Sequence, residues 1–344
     1  MAGVNIDFFC PLPNNSREPS VREIELTAEW IARFELLDDR RKVAAFSYAG
    51  AGLPANLYPR MKDEQVRLFS DYIAWVLIWD DIYDTKIDNE KIEDKINLCF
   101  NLISRLEQPE RALLIQNPLA HSLLDISKRM RLWASPFEYD QFVCNTSKWI
   151  ASYAWGTAIE KTGEIENIDT YLAYRAINAG CNIMHYMAGV SNDALMAPHE
   201  LTSDLVRAFI DVCTFIVAAD NDIYSRAKSN SAGEESFDLI DFCIKSKIEI
   251  VEEDALLWAV GVRNYAMRQY MSLRERLLNN SDEKTRRFVF GCDDCIVGNV
   301  VFGVRQTRYS DINNAYAKSR WISSGGLENN FLGSVKSTSW WWEV

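Results

Sequence analysis

The chain has 344 residues, of which 48% are hydrophobic and 12% aromatic, and this is enough to build a large buried core. Its formal net charge of −12 argues against non-specific binding to nucleic acid or to anionic lipid. An anionic substrate stays compatible with that charge when metal ions lie between it and the acidic groups.

The cysteines and the N-terminus indicate the compartment. The eight cysteines show no disulfide spacing, and Cys292 and Cys295 form a single C-x-x-C without a second pair, so free thiols in the core are expected. Residues 1–9 lack the basic and apolar segments of a secretory signal. No run reaches the roughly 18 apolar residues of a membrane span. We therefore expect a cytoplasmic protein without an integral membrane segment.

The predicted elements at the start of the chain are an arm and two helices. Residues 1–19 are predicted to form an irregular N-terminal arm. Ser20 and Glu23 have the spacing of a capping box, which predicts the start of the first helix. A break is expected at residues 50–59, and an apolar helix then runs into Asp80.

Helical periodicity continues through the rest of the chain. Further helices are predicted at 92–106, 141–162, 168–190, 201–228, 237–279 and 284–309. Patterns typical of β-strands are sparse, so a parallel sheet is not expected. No repeat or composition shift divides the chain. We therefore predict a single all-α domain at 20–310 and a partly irregular C-terminal tail at 311–344.

The tail contains three consecutive tryptophans, Trp340, Trp341 and Trp342. Exposed tryptophans could contact a membrane interface or a partner protein. Packing of the tail back onto the domain, or simple disorder of the tail, is the favoured interpretation.

An acidic cluster follows the apolar helix, because Asp80, Asp81 and Asp84 form a D-D-x-x-D pattern. In an α-helix, residues four apart lie on nearly the same face, so the carboxylates of Asp80 and Asp84 are expected to point the same way. Close carboxylates repel each other unless a cation joins them, and Mg²⁺ binds one or two carboxylates together with phosphate oxygens. The alternative is a solvated helix end, but acidic groups there oppose the helix dipole.

A second polar cluster follows the apolar run at 205–219. Asn221, Ser225 and Ser229 are spaced four residues apart and fall on one stripe of a helix. Amide and hydroxyl oxygens are neutral ligands that Mg²⁺ accepts, and Lys228 can bind a phosphate. A polar helix end explains this cluster equally well when it is taken alone.

Taken in chain order, these clusters resemble the motifs of microbial-type class I terpene synthases. Asp80-Asp81-x-x-Asp84 matches the aspartate-rich metal motif of that family, and Asn221-Asp222-x-x-Ser225 matches its second metal motif. The segment from Phe9 to Pro13 resembles the family's N-terminal start.

Five further residues carry the resemblance towards the C-terminus. Arg175 lies where the family has its diphosphate-sensing arginine, and Gly180 lies where a helix of the family breaks. Arg308 and Tyr309 match the diphosphate-binding Arg-Tyr pair, with the aromatic Phe302 upstream. The resemblance covers nearly the whole chain, from about residue 8 to residue 309.

The resemblance implies a class I terpenoid synthase-like helical bundle around a central apolar cavity. The implied reaction is the Mg²⁺-dependent ionisation of a prenyl diphosphate, most often farnesyl diphosphate, and its cyclisation to a terpene hydrocarbon or alcohol. Diphosphate is released. A homodimer is common among similar proteins.

The resemblance also implies roles for individual residues. Asp80 and Asp84 would hold two Mg²⁺ ions, and the second motif a third. The expected diphosphate ligands are Arg175, Lys228, Arg308 and Tyr309. The candidate catalytic residues are Asp80, Arg175 and Tyr309. Aromatic candidates for stabilising the cation are Phe69, Trp155 and Phe302, and only Phe302 lies at a family-matched position.

One position departs from the family pattern. Ser229 stands where the second metal motif ends in glutamate. A serine hydroxyl is uncharged and shorter than a glutamate carboxylate, so weaker binding of the third ion is expected at Asn221 and Ser225.

Two alternatives remain at this level. A chain-elongating prenyltransferase would carry a second aspartate-rich motif where this chain has Asn221 and Ser225, so cyclisation is favoured. A non-catalytic helical binding or scaffold protein of the same fold would carry these acidic clusters only as surface features.

Overall fold

Helix formation begins where the sequence marks it. In this computed structural model the first helix, α1, spans Val21–Arg33 and Ser20 is its N-cap. The Ser20 hydroxyl accepts a hydrogen bond from the Glu23 backbone N–H at 3.2 Å, and the Glu23 carboxylate accepts one from the Ser20 N–H at 2.6 Å. The predicted capping box is confirmed.

The structure describes residues 6–83, 92–111, 117–162, 167–232, 238–246, 250–305 and 319–344, except for the side chains of 82–83, 92, 157–162 and 227–232. The other long helices are α2 Arg40–Leu57, α3 Asp63–Ile78, α4 Ile92–Leu106, α5 Pro118–Trp133, α6 Pro136–Thr162, α7 Ile168–Asn178, α8 Cys181–Ser191, α9 Asp204–Ala232, α10 Leu239–Ser246, α11 Glu252–Asn280 and α12 Glu283–Arg305. A short α13 covers Phe331–Ser334. The expected all-α fold is confirmed.

The helices pack around a shared core. Helix α2 lies against α3 and α12, and α9 lies against α11 and α12. Helices α6 and α8 close another side of the bundle. No helix of the described residues is long and apolar enough to cross a membrane.

The break predicted at residues 50–59 begins later than expected, because α2 continues through Pro54 to Leu57 and α3 begins at Asp63. A Cβ atom placed on Gly50 would lie 2.7 Å from the Cβ of Ala74, so α2 and α3 approach each other very closely. Small residues allow this approach, and the packing it permits outweighs the weak helix propensity of glycine and proline.

The expectation that the chain has no parallel sheet is also wrong. Strand β1, Ile6–Phe9, pairs in parallel with β2, Ser319–Ile322, so part of the N-terminal arm is a strand. Four residues are too few to show a clear alternation of polar and apolar side chains. The two strands are also separated by more than 300 residues, and a local pattern cannot report such a pairing.

Two predicted helices are each divided. The predicted helix at 237–279 is α10 followed by α11. The predicted helix at 168–190 is α7 followed by α8, and Gly180 lies between them with φ of +71°. That left-handed conformation is unfavourable for residues with a Cβ, so the break expected at Gly180 is confirmed.

The C-terminal tail packs back onto α11. Trp341 is buried, and the ring of Trp342 stacks on Tyr265 with a centroid distance of 5.0 Å. The Gln269 side chain donates a hydrogen bond to the Trp341 carbonyl. The favoured interpretation of the tryptophan segment is confirmed.

Candidate active site

A cavity of about 140 Å³ lies between α2, α3, α6, α7, α8, α9 and α12. Its wall is mostly apolar, with residues such as Leu53, Ile73, Ile183 and Met187. Its aromatic lining residues are Trp149, Tyr153, Tyr224 and Phe302. Its polar lining residues are Asp80, Arg175, Asn178, Asn221 and Asn299. Residues from both sequence motifs therefore reach one cavity.

Asp80 lies at the edge of this cavity on an unusual helical turn. Residues Trp79–Tyr83 form a π-helix that continues α3. The prediction that this segment is α-helical is therefore wrong. A π-helix is wider than an α-helix, and such turns are frequent at functional sites. Asp84 lies outside the described residues.

Tyr153 on α6 orients the Asp80 carboxylate. Its hydroxyl donates a hydrogen bond to Asp80 Oδ1 at 2.8 Å. Its ring packs edge-on against Trp79 at 5.8 Å and Trp149 at 4.9 Å, so the hydroxyl is held in place. Asp80 itself is exposed, at the mouth of the cavity.

Arg175 lies near the C-terminal end of α7 and connects that helix to α9. Its Nη1 donates to Asn178 Oδ1 at 2.9 Å, and its Nη2 donates to Asn221 Oδ1 at 3.1 Å. The same Nη2 forms an ion pair with the buried carboxylate of Asp222. Its Nε is buried and has no hydrogen-bond partner among the described residues. An N–H in that position can donate to an anionic ligand.

Asp222 keeps Arg175 charged inside the protein. Burial disfavours the charged guanidinium, but the Asp222 carboxylate outweighs that effect and raises the pKa of Arg175. The carboxylate also accepts hydrogen bonds from the Tyr171 hydroxyl and, at 2.9 Å, from the Leu239 N–H. Burial and the Asp222 charge raise the pKa of Tyr171 well above its usual value, so Tyr171 remains a donor.

The Asn221 amide is held by a hydrogen-bond chain. Its Nδ2 donates to the Tyr224 hydroxyl at 2.9 Å, and that hydroxyl donates to Asn299 Oδ1 at 3.0 Å. Asn299 Nδ2 donates in turn to the Val217 carbonyl at 3.2 Å. This chain fixes Asn221 Oδ1 on the side of Arg175. Ser225 follows one turn later on α9 and is partly exposed.

The remaining predicted residues fall into two groups. Phe302 on α12 is buried and lines the cavity, but the structure does not bring Phe69 or Trp155 to it. Phe69 packs in the core against Trp133, and Trp155 lies at the surface against Tyr174. Asp84, Arg308, Tyr309 and the side chains of Lys228 and Ser229 lie outside the described residues.

The donors present fit a hard divalent cation and an anion beside it. The Asp80 carboxylate and the Asn221 amide oxygen are the oxygen ligands that Mg²⁺ prefers. The Asn221 oxygen has two lone pairs, and the Arg175 hydrogen bond uses one of them. Arg175 lines the same cavity, so its guanidinium supplies positive charge for an anion there.

Sequence reasoning missed three residues of this arrangement. Tyr153 and Asn178 gave no signal, because their roles depend on contacts with Asp80 and Arg175. Asp222 was noted only as a letter of the second motif, although it is the ion-pair partner of Arg175. Its position next to Asn221 was the available signal.

Comparison with known proteins agrees with this geometry. Residues 71–269, more than half of the chain, match the family model described as terpene synthase family 2, C-terminal metal binding. Bonnadiene synthase of Allokutzneria albata is 24% identical over 313 residues, which cover 88% of this chain and 85% of that protein. The (+)-T-muurolol synthase ((2E,6E)-farnesyl diphosphate cyclizing) of Streptomyces clavuligerus is 23% identical over 98% of this chain and 82% of its own length.

Solved structures share the fold. The crystal structure of a variant of the SVS_A2 protein, from ancestral sequence reconstruction, has a TM-score of 0.82 at 21% identity and covers 99% of each chain. Linalool/nerolidol synthase from Streptomyces clavuligerus has a TM-score of 0.71 at 16% identity, covering 86% of this chain and 99% of that chain.

Proposed function

This chain belongs to terpene synthase family 2, and on that premise we propose that it cyclises farnesyl diphosphate with the help of Mg²⁺. It is a microbial class I terpene synthase, a lyase that acts on prenyl diphosphates and converts them to terpenes. Beyond the family, we propose farnesyl diphosphate as the substrate, Mg²⁺ as the metal, and specific residues that bind them. The product is a terpene hydrocarbon or alcohol, and diphosphate is released.

One observation carries the proposal. Asp80, Arg175 and Asn221 come from three separate helical segments and line the same largely apolar cavity. Metal ligands and an anion donor at one part of the wall suit a diphosphate, and the apolar remainder suits a hydrocarbon chain. A scaffold protein gives no reason for charged groups to converge on an apolar cavity, and desolvating them there is costly.

Two groups of residues would hold the metal ions in this proposal. Asp80 and Asp84 would hold two Mg²⁺ ions, and Asn221, Ser225 and Ser229 would hold a third. Bound Mg²⁺ stabilises the negative charge that develops on the departing diphosphate.

The chain's own cations bind the leaving group. Arg175 donates its buried Nε–H to a diphosphate oxygen, and the ion pair with Asp222 keeps that guanidinium charged and oriented. Lys228, Arg308 and Tyr309 add three further donors. Tyr153 holds the Asp80 carboxylate in one orientation through its hydroxyl. Pre-positioned groups of this kind need no reorganisation as the C–O bond breaks.

The cavity wall protects the carbocation that ionisation leaves behind. Phe302 and Trp149 present aromatic rings to the cavity, and aromatic faces stabilise cations without reacting as nucleophiles. Apolar residues such as Ile183 and Met187 exclude water from the same space. Cyclisation within the substrate is then favoured over capture by solvent.

The proposed substrate length rests on the relatives. The muurolol synthase relative carries farnesyl diphosphate in its name.

We further propose a cytoplasmic enzyme that binds no nucleic acid and forms a homodimer, as similar proteins commonly do.

The test is incubation of the purified protein with Mg²⁺ and, separately, geranyl, farnesyl and geranylgeranyl diphosphate. Gas chromatography–mass spectrometry should show a cyclic product from farnesyl diphosphate, abolished by EDTA and by Asp80→Ala. Longer linear diphosphates formed with isopentenyl diphosphate would indicate a prenyltransferase. Release of no product from any substrate by the folded protein would contradict the proposal.

A further inference from the structure

A cluster of soft metal ligands lies outside the proposed active site. His185 on α8, Cys213 on α9 and Cys292 on α12 each offer one ligand atom, and these three atoms lie within 4.8 Å of one another. Cys213 and Cys292 are completely buried. None of the three lines the cavity that holds Asp80 and Asn221. The cluster therefore needs its own explanation.

The spacing of the cluster is close to that of a metal site. His185 Nδ1 lies 3.8 Å from Cys292 Sγ. Tetrahedral Zn²⁺ has Zn–S bonds of about 2.3 Å and Zn–N bonds of about 2.0–2.1 Å, which separate its ligand atoms by roughly 3.5–3.8 Å. The separation of His185 Nδ1 and Cys292 Sγ therefore already matches that of two ligands on one zinc ion.

The histidine is already oriented as a ligand. His185 Nε2 lies 2.8 Å from the Thr214 hydroxyl oxygen. An Nε2–H that donates to this oxygen leaves the Nδ1 lone pair directed towards Cys292. Metal-binding histidines usually have their second ring nitrogen held in this way, which fixes both the tautomer and the ring orientation.

We propose that His185, Cys213 and Cys292 bind one Zn²⁺ ion. Two Zn–S bonds and one Zn–N bond form, a water molecule takes the fourth tetrahedral position, two S–H bonds break, and the two protons leave to solvent. Two thiolates and one Zn²⁺ give a site of zero net charge, which suits a buried location better than an uncompensated ion does. Sulfur and imidazole ligands select Zn²⁺ over Mg²⁺, so the two metals occupy different sites.

The bound ion would join three helices of the cavity wall. Helix α8 carries Met184, α9 carries Asn221 and α12 carries Phe302, and all three residues line the active-site cavity. A structural ion between these helices stabilises the folded chain, since the unfolded chain has no preformed site. It does not take part in the chemistry.

Cobalt provides a direct spectroscopic test on the full-length protein. Co²⁺ is added to reduced, zinc-free protein in excess Mg²⁺, which saturates the carboxylate sites. We expect a thiolate-to-cobalt charge-transfer band that reaches its maximum at one Co²⁺ per chain and is lost when one equivalent of Zn²⁺ displaces the cobalt. The band requires sulfur ligands, so the acidic motifs cannot produce it.

Substitutions identify the ligands. Cys292→Ser and His185→Gln should each weaken Co²⁺ binding at least tenfold, whereas Cys99→Ser, at a buried cysteine of α4, should leave it unchanged. The wild-type protein gives a second measurement that requires no variant. In urea near the midpoint of unfolding, where buried thiols become accessible, N-ethylmaleimide should label Cys213 and Cys292 more slowly with Zn²⁺ than with EDTA, while labelling of the exposed Cys144 stays the same.

Several results would overturn the assignment. The first is the absence of a charge-transfer band, and the second is a band that survives Cys292→Ser. The third is binding of Cu⁺ without binding of Zn²⁺ or Co²⁺. The fourth is equal labelling of Cys213 and Cys292 with Zn²⁺ and with EDTA. The terpene synthase proposal is independent of all four, because none of these measurements uses turnover.

Discussion

At the scale of single residues, the active-site proposal depends on buried charge. Arg175 is nearly enclosed, and Asp222 is the carboxylate that pairs with it. A buried ion pair adds little net stability, but removal of one partner leaves an uncompensated charge. The main contribution of Asp222 is therefore to keep Arg175 charged and directed towards the cavity.

Replacing that carboxylate should affect both stability and turnover. Asp222→Asn should lower the free energy of unfolding by about 3 kcal/mol, because Arg175 stays buried without its counterion. It should also lower kcat, since Arg175 is no longer held against the diphosphate. Urea denaturation and product formation measure the two effects. Tyr171→Phe is the matched control, because it removes only one hydrogen-bond donor to the Asp222 carboxylate. Equal effects of the two substitutions would contradict this role of Asp222.

A second residue-scale prediction concerns the departure from the family motif. Ser229→Glu restores a carboxylate at the end of the second metal motif, so the Mg²⁺ concentration that gives half-maximal activity should fall. The size of the change should be a few-fold to tenfold, which is typical when a charged ligand replaces a neutral one. The control is Ser229→Gln, which has similar length but no charge. An unchanged Mg²⁺ requirement would mean that position 229 does not contribute a ligand.

At the scale of elements, the C-terminal part of α9 is held by carboxylates from its neighbours. Arg226 forms ion pairs with Asp238, just before α10, at 2.9 Å and with Asp241 in α10 at 2.7 Å. It also pairs with Glu252 in α11 at 2.9 Å. The motif residues Asn221 and Ser225 lie just before Arg226. These ion pairs therefore keep the metal-binding part of α9 in a fixed position.

Asp238 makes this junction sensitive to pH. Burial first, and then the charges of Asp222 and Asp241, raise its pKa to about 6 against the opposing effect of Arg226. An unfolded aspartate titrates near 3.9, so the folded protein holds the proton more tightly. The resulting stabilisation is fully present below about pH 4 and is lost as the pH rises through 6.

The corresponding test is a comparison of stability at two pH values. Between pH 4 and pH 7 the loss from Asp238 should be about 2–3 kcal/mol. Asp238→Asn should reduce this pH dependence by that amount, while Asp140→Asn at an exposed position of α6 should not change it. Urea denaturation at pH 4 and pH 7 measures the difference. Parallel curves for Asp238→Asn and wild type would show that Asp238 does not titrate differently in the folded state.

At the scale of the whole molecule, a buried ion pair connects the two ends of the chain to the active site. Arg263 on α11 donates at 2.8 Å to Asp220, the residue before Asn221, and both side chains are fully buried. Arg263 also donates to the Phe9 carbonyl in β1, which pairs with β2. The terminal strands and the second metal motif therefore share one buried arginine.

The pair should behave as a unit when it is mutated. Arg263→Met alone should cost about 3–5 kcal/mol because Asp220 keeps an uncompensated buried charge. The double variant Arg263→Met with Asp220→Leu should recover a substantial part of that loss, as measured by urea denaturation in a double-mutant cycle. Simple addition of the two single effects would indicate that the residues act independently.

Part of the fold was predictable from local signals, such as the capping box at Ser20. The break at Gly180 was expected from the family resemblance, whereas periodicity alone predicted one continuous helix at 168–190. The continuous α2 and the π-helix at Asp80 were not predicted, because close packing and the wider turn depend on neighbouring helices. Tyr153 was missed as a partner of Asp80 for the same reason.

The sequence by itself determined the helical class, the order of the motifs and the family to which they belong. Periodicity and motif spacing are properties of the chain, so they can be recognised before it folds. Only the tertiary structure decided that Asp222 neutralises Arg175, that β1 pairs with β2, and that His185, Cys213 and Cys292 meet. Each of these contacts joins distant parts of the chain, and packing of the whole molecule brings them together.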